Sequence, residues 1–172
     1  MSKTKCNTWV FVAILAGGLA LAGPAAAGSG LLARGGYLVH IMDCTGCHTP
    51  GSLAGHPKMG RFLAGSTIGF RLPEGIFFPA NLTPDRATGL GSWSRAEIAR
   101  AIRTGVTPGG RKLAPIMPWR SFSHLTPRDA LAIATYLKSL PPIRHVVPRP
   151  QPVSAAARFP AMTLVIPAEK KH

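Results

Sequence analysis

Acidic residues are scarce: six Asp and Glu stand against 20 Lys and Arg in 172 residues, a formal net charge of +14. The six carboxylates are spread along the chain without pairing, which argues against a hydrolase built on two facing acids. Cysteine is scarce too, three in all. Charged residues make up only 15% and hydrophobic ones 46%, a balance that excludes disorder throughout. The glycines lack a three-residue period, so the chain is not collagenous. The basic residues are mostly arginines scattered singly, without the clusters or stripes of a nucleic-acid footprint. What the chain does have is 19 Gly and 17 Pro, and hence much loop, in a length that suits one domain.

The first 27 residues differ in kind from the rest. Lys3 and Lys5 precede an apolar run, Trp9 to Ala22, then Pro24 and the triplet Ala25-Ala26-Ala27. A basic start, an apolar centre and small residues at the end describe a signal peptide. The competing reading is an uncleaved anchor through residues 8–27, close to the roughly 20 residues that span a bilayer. In either case the two lysines stay cytoplasmic and the remainder is exported. Cleavage would leave +12 on the exported chain. Three segments are expected: a leader or anchor over 1–27, a domain over 28–145, and a Pro-rich tail over 146–172.

Cys6 lies in the leader, leaving Cys44 and Cys47 as a C-x-x-C pair. A redox disulfide would want a strand leading into a turn and helix, whereas Leu31 to Met42 reads as helix. A zinc site would want two further ligands at close spacing; His40, His56, His124 and His145 show none. The next residue decides among these readings, because Cys44-Thr45-Gly46-Cys47-His48 is C-x-x-C-H, the attachment signature of c-type haem. Two thiols add across the haem vinyl groups, and the following imidazole is placed to reach the iron from one face. Thr45 and Gly46 are small enough for the backbone to curl close to the porphyrin.

A sixth ligand is sought among the methionines. Met42 shares the helix of the motif, Met59 follows His48 by eleven residues, and Met162 sits in the tail. Met117 stands in Ala114-Pro115-Ile116-Met117-Pro118-Trp119, where prolines stiffen the loop and favour extended backbone. It is the expected ligand, with Met59 and His124 as alternatives and core filling as the ordinary use of any Met. Methionine–histidine ligation leaves no open coordination site and suits electron transfer.

Around these residues the pattern predicts helices over Leu31–Asp43, from a Ser94–Glu97 capping box to Gly105, and from Thr126 with Pro127 in the first turn to Pro141. Thr49 to Pro79 has little periodicity and reads as a long loop enclosing a cofactor. Gly35 and Gly36 weaken their helix and are expected where another helix approaches closely. The tail beyond is expected to lie along the surface or reach a partner.

The segments RGGYLVHIMDCTGCHT (34–49), NLTPDRATGLGSWS (81–94), AIRTGV (101–106), APIMPW (114–119) and YLKSLPP (136–142) together resemble class I c-type cytochromes. The resemblance is closer to the cytochrome modules of periplasmic alcohol and gluconate dehydrogenases, and runs from about Leu31 to Pro142. It implies a small all-α haem domain in which the first and last helices cross, with Gly35 or Gly36 against Tyr136. It also implies Cys44 and Cys47 as thioether sites, His48 and Met117 as axial ligands, and Asn81 and Trp93 near the haem edge, where either could simply pack or hold a turn. Those dehydrogenase subunits often carry three haem domains; this chain has one motif, and the tail from Arg144 has no counterpart in the resemblance.

The expected function is a monohaem electron carrier in the periplasm, with one covalent haem c and no catalytic residues. The alternatives are a haem-bearing subunit of a dehydrogenase or oxidase complex, or a peroxidase or sensor. The expected partners are redox proteins with acidic docking surfaces, steered by the positive charge. Solubility or attraction to anionic lipid is the competing use of that charge.

Overall fold

The computed structural model describes residues 24–154 and 158–163. The leader expected over 1–27 lies mostly outside the described residues. Among the described residues no helix is long and apolar enough to cross a membrane.

Five helices among the described residues carry the fold: α1 (Pro24–Ile41), α2 (Cys44–His48), α3 (Arg95–Thr104), α4 (Trp119–Phe122) and α5 (Pro127–Ser139). The first begins earlier than the apolar pattern predicts and ends at Ile41, two residues before Asp43 turns the chain through a left-handed conformation (φ 49°). The capping box of α3 forms as the sequence predicts: Ser94 Oγ accepts from the Glu97 amide, and the Glu97 carboxylate accepts from the Ser94 amide. Thr126 caps α5 through the Asp129 amide, with Pro127 in the first turn.

α1 crosses α5 where Gly35 lies flat on the Ala132 backbone. A Cβ on Gly35 would overlap the Ala132 carbonyl and approach Tyr136 Cβ to 2.8 Å, while one on Gly36 would reach the Tyr136 ring at 3.0 Å. The two glycines thus allow the helices to meet backbone to backbone, as the resemblance implies. Arg34 closes the crossing with an ion pair to Asp129 at 2.9 Å. Leu38 and Val39 of α1, Ile98 of α3, and Ile133, Ala134 and Leu137 of α5 form the core with Leu63 and Leu90.

The all-α expectation needs correction, because a small sheet joins the helices. Strands β1 (Gly69–Leu72) and β2 (Gly75–Phe77) form an antiparallel hairpin, and β3 (Ala161–Thr163) pairs parallel to β1 in the order β2-β1-β3. The hairpin lies inside the stretch read as loop, which also holds two 3-10 turns at Ser52–Ala54 and Met59–Arg61. Strands of three or four residues are too short to show a two-residue alternation clearly. The tail folds back on this hairpin: Gln151 bridges Ile76, Arg71 donates to the Val153 carbonyl at 2.7 Å, and Phe159 meets Phe78 edge-on at 5.7 Å.

Candidate haem site

The C-x-x-C-H motif is itself α2. Asp43 sits at its N-cap and accepts from the Gly46 amide at 3.0 Å. A side chain at position 46 would collide with that carboxylate. Gly46 is therefore used to admit the cap, a closer constraint than general smallness.

Cys44 and Cys47 are free thiols, half-buried. Burial pushes Cys44 up to about 11, and burial together with the nearby Asp43 carboxylate raises Cys47. Redox-active pairs depress a thiol to hold a thiolate, whereas burial here acts in the opposite direction on both. No cluster of three or more His, Cys, Asp or Glu suited to a metal ion occurs among the described residues.

His48 ends the helix. Its Nδ1 lies 2.7 Å from the Ala80 carbonyl oxygen, which can only accept, so Nδ1 carries the proton and the Nε2 lone pair is left free to bind a metal. Burial lowers the basicity of the ring, partly offset by this hydrogen bond, which favours the neutral form that ligates. The main chain of His48 is held as well: its carbonyl accepts from the Gly65 amide at 2.7 Å.

Met117 stands in the tight turn between Pro115 and Pro118, its amide bonded to the Ala114 carbonyl and its own carbonyl accepting from the Trp119 amide at 2.7 Å. Trp119 packs flat on Gly105, which closes α3. The loop is thereby pinned to the end of α3, with Met117 partly buried. Of the alternatives, Met59 is 57% exposed and His124 is exposed.

Asn81 is buried, and its side chain makes four hydrogen bonds within the protein. Nδ2 donates to the Ile143 carbonyl and to Thr88 Oγ1; Oδ1 accepts from the amide and the hydroxyl of Thr83. Its amide is fully used in this knot. Trp93 packs on the same core cluster as Cys44.

Haem offers two vinyl groups for two thiols, an iron for an imidazole and a thioether, and two propionates. The two thiols and the His48 Nε2 answer the vinyl groups and the iron's imidazole, and the Met117 loop carries a thioether. Arg103, two residues before Gly105, has its Nε buried with no hydrogen-bond partner among the described residues. A guanidinium stays charged, and carboxylates are its best acceptors, so a propionate fits this orphan donor. The residues present fit the group.

Two features of the site leave no trace in the motif. The Ala80 carbonyl is a backbone acceptor, invisible to any residue pattern. The residues after Pro142, which hold Asn81 in place, carry no signal beyond prolines.

Known proteins give the same picture. The cytochrome c family model matches residues 32–141. A nicotinate dehydrogenase subunit from Pseudomonas putida is 35% identical over 130 residues, which are 76% of this chain and 10% of that protein. The cytochrome c subunit of the quinone-dependent alcohol dehydrogenase from Gluconacetobacter polyoxogenes is 37% identical over 122 residues, 71% of this chain and 24% of the subunit. The gluconate 2-dehydrogenase cytochrome c subunit of Pantoea cypripedii is 34% identical over 110 residues, 64% and 23% respectively. This chain spans between a tenth and a quarter of the length of these relatives.

Proposed function

Because the chain belongs to the cytochrome c family, and the relatives it matches include cytochrome c subunits of dehydrogenases, we propose that it is a monohaem electron carrier. It takes single electrons from a periplasmic dehydrogenase and passes them to a downstream acceptor. The observation that carries this reading is His48, with Nδ1 tied to Ala80 and Nε2 free, directly after the one C-x-x-C pair.

Cys44 and Cys47 would hold the haem through two thioethers, and His48 and Met117 would supply the ligands to its iron. The group supplies a one-electron iron couple when bound. Asp43 fixes the start of α2, and the Ala80 carbonyl fixes the tautomer and tilt of His48. The Pro115–Pro118 turn presents the thioether at low entropic cost. Bound through both side chains, the iron would keep no site open for peroxide or oxygen, as suits a carrier rather than a peroxidase.

The surface suits an acidic partner. Of the five carboxylates in the described residues, Asp43, Asp85 and Glu97 bond nearby amides and Asp129 pairs with Arg34. Most of the acid is thus spent on local structure. The remaining basic excess can steer an acidic dehydrogenase or oxidase.

Residues 1–27 are read as the signal for export, with the haem domain in the periplasm; retention of 8–27 would anchor it to the inner membrane. The relatives favour a second arrangement, in which the chain is one component of a dehydrogenase complex. Stopped-flow mixing with a substrate-reduced dehydrogenase of the alcohol or gluconate type tests the reading. Haem reduction within the enzyme's turnover time is expected, and no reduction by any such donor would contradict it.

A further inference from the structure

The segment just past the family match is tied to both sides of His48. Ile143 receives Asn81 Nδ2 on its carbonyl at 2.8 Å and donates its amide to Thr83 Oγ1 at 3.1 Å. His145 donates its amide to Thr88 Oγ1 at 3.0 Å, and its Nδ1 donates to the Ala64 carbonyl at 2.7 Å. Asn81 follows Ala80, the acceptor of the His48 ring proton, and Ala64 precedes Gly65, the donor to the His48 carbonyl. The Ser66 amide joins the two holding loops through the Pro79 carbonyl at 3.0 Å.

Local strain shows that the holding loops are over-determined. Leu63, fully buried, is in the left-handed region at φ 56°, a conformation that costs a bulky residue energy and persists only where its surroundings enforce it. Here Thr49 Oγ1 accepts from its amide at 3.0 Å and its carbonyl accepts from Leu82. Gly65 is seated so tightly that a Cβ would stand 2.5 Å from Val147 Cγ1 and 2.8 Å from the Asn81 amide. Val147 belongs to the same tail segment, so the tail covers both loops.

We propose that Ile143–His145 is a strap that sets the reduction potential of the haem. Asn81 and His145 act as positioning residues that hold the Ala80 and Gly65 groups against His48. The proposal rests on the assignment of His48 as the iron ligand. A ligand histidine that donates a well-held Nδ1 hydrogen bond is the more basic, and groups of this kind tune the metal from outside its own ligands. More basic imidazole favours the oxidised iron. Releasing the strap lengthens the His48–Ala80 bond, weakens electron donation and raises the potential. The charges of the protein and the number of iron ligands stay the same.

The test uses the full-length holoprotein with Asn81→Ser, which removes both donations from Nδ2, and His145→Phe, which keeps a ring but loses the donor to Ala64. Phe159→Ala serves as control, because it removes the ring contact with Phe78 by which the tail meets the hairpin, and leaves the knot intact. Potentials are measured by spectroelectrochemical titration at alkaline pH, and His48 ring orientation by the g-anisotropy of the oxidised protein. Both strap variants should raise the reduced-to-oxidised ratio at fixed poise about threefold to tenfold, tenfold being about 59 mV for one electron, and alter the g-values. The control should do neither. If Asn81→Ser fails to fold, His145→Phe decides alone. Unchanged potential and g-values in variants that have only lost stability would overturn the strap as a potential-setting device. If the unaltered protein lacks a low-spin haem, the functional reading fails and the strap proposal falls with it.

Discussion

His48 Nδ1 lies 2.7 Å from the carbonyl oxygen of Ala80, 32 residues away in sequence. One backbone acceptor thus fixes which nitrogen of the ring is protonated and which is open to iron. His48→Ala should leave the two thioethers able to form but remove the proximal ligand, and the optical spectrum of the reduced protein should change from low-spin to high-spin. A low-spin spectrum with normal intensity in this variant would remove His48 from the iron.

Covalent attachment follows from both thiols. Cys44→Ser should abolish the two-thioether pyridine haemochrome spectrum, leaving at most a one-thioether form held by Cys47. An unaltered spectrum would mean that the pair does not hold the haem.

The pinned turn around Met117 predicts a firm sixth ligand. Carbon monoxide should not bind the reduced protein at neutral pH, and Met117→Ala should admit it and lose the weak red band of an iron–thioether bond in the oxidised state. Ready binding by the unaltered protein, or a retained band in the variant, would move the ligand elsewhere, to Met59 or His124.

The α1–α5 crossing predicts a steric cost. Gly35→Ala places a methyl group against the Ala132 backbone carbonyl, which has no flexible end to yield, so the two helices must part. A loss of about 1–3 kcal/mol is expected from such overpacking, read by denaturant unfolding of the holoprotein. The intrinsic helix propensity of Ala favours the opposite sign by about 1 kcal/mol, so a stabilised variant would show that the helices do not meet here.

Acid sensitivity has a definite sign. Asp85 is held below its usual range by hydrogen bonds from Thr88 and Ala87, Glu97 by those from Ser94, and Asp129 by Arg34 and Thr126. Each folded-state value lies below the unfolded one, so the stabilisation is present above about pH 4, the unfolded carboxylate range, and is lost as pH falls through the folded values. Melting temperature should fall on acidification below that range, and Asp85→Asn should flatten part of the drop. Stability that rises on acidification would contradict the caps.

The elements most legible in the sequence are those whose signals are local and redundant. Ser94 with Glu97, Thr126 with Pro127, and the two glycines facing Tyr136 each announce a cap or a close approach in a few residues. The haem motif is legible because its chemistry demands fixed spacing. The hairpin at Gly69–Phe77 is not, since its strands are short and borrow a third partner, β3, from more than 80 residues on. Asn81 reads by resemblance as lying near the haem edge or holding a turn, and its hydrogen bonds go to Thr83, Thr88 and Ile143, partners that only the folded chain brings together. The acidic scarcity that marks the sequence also looks different in the fold, because most of the few carboxylates are committed to caps and turns.

The central claim is one haem held by Cys44 and Cys47 in an exported chain, and the intact mass of the protein recovered from the periplasm tests it most directly. The account predicts a polypeptide beginning after the Ala25-Ala26-Ala27 triplet and carrying the mass of one haem, which survives denaturation. A bare polypeptide, or one carrying two haems, would contradict it.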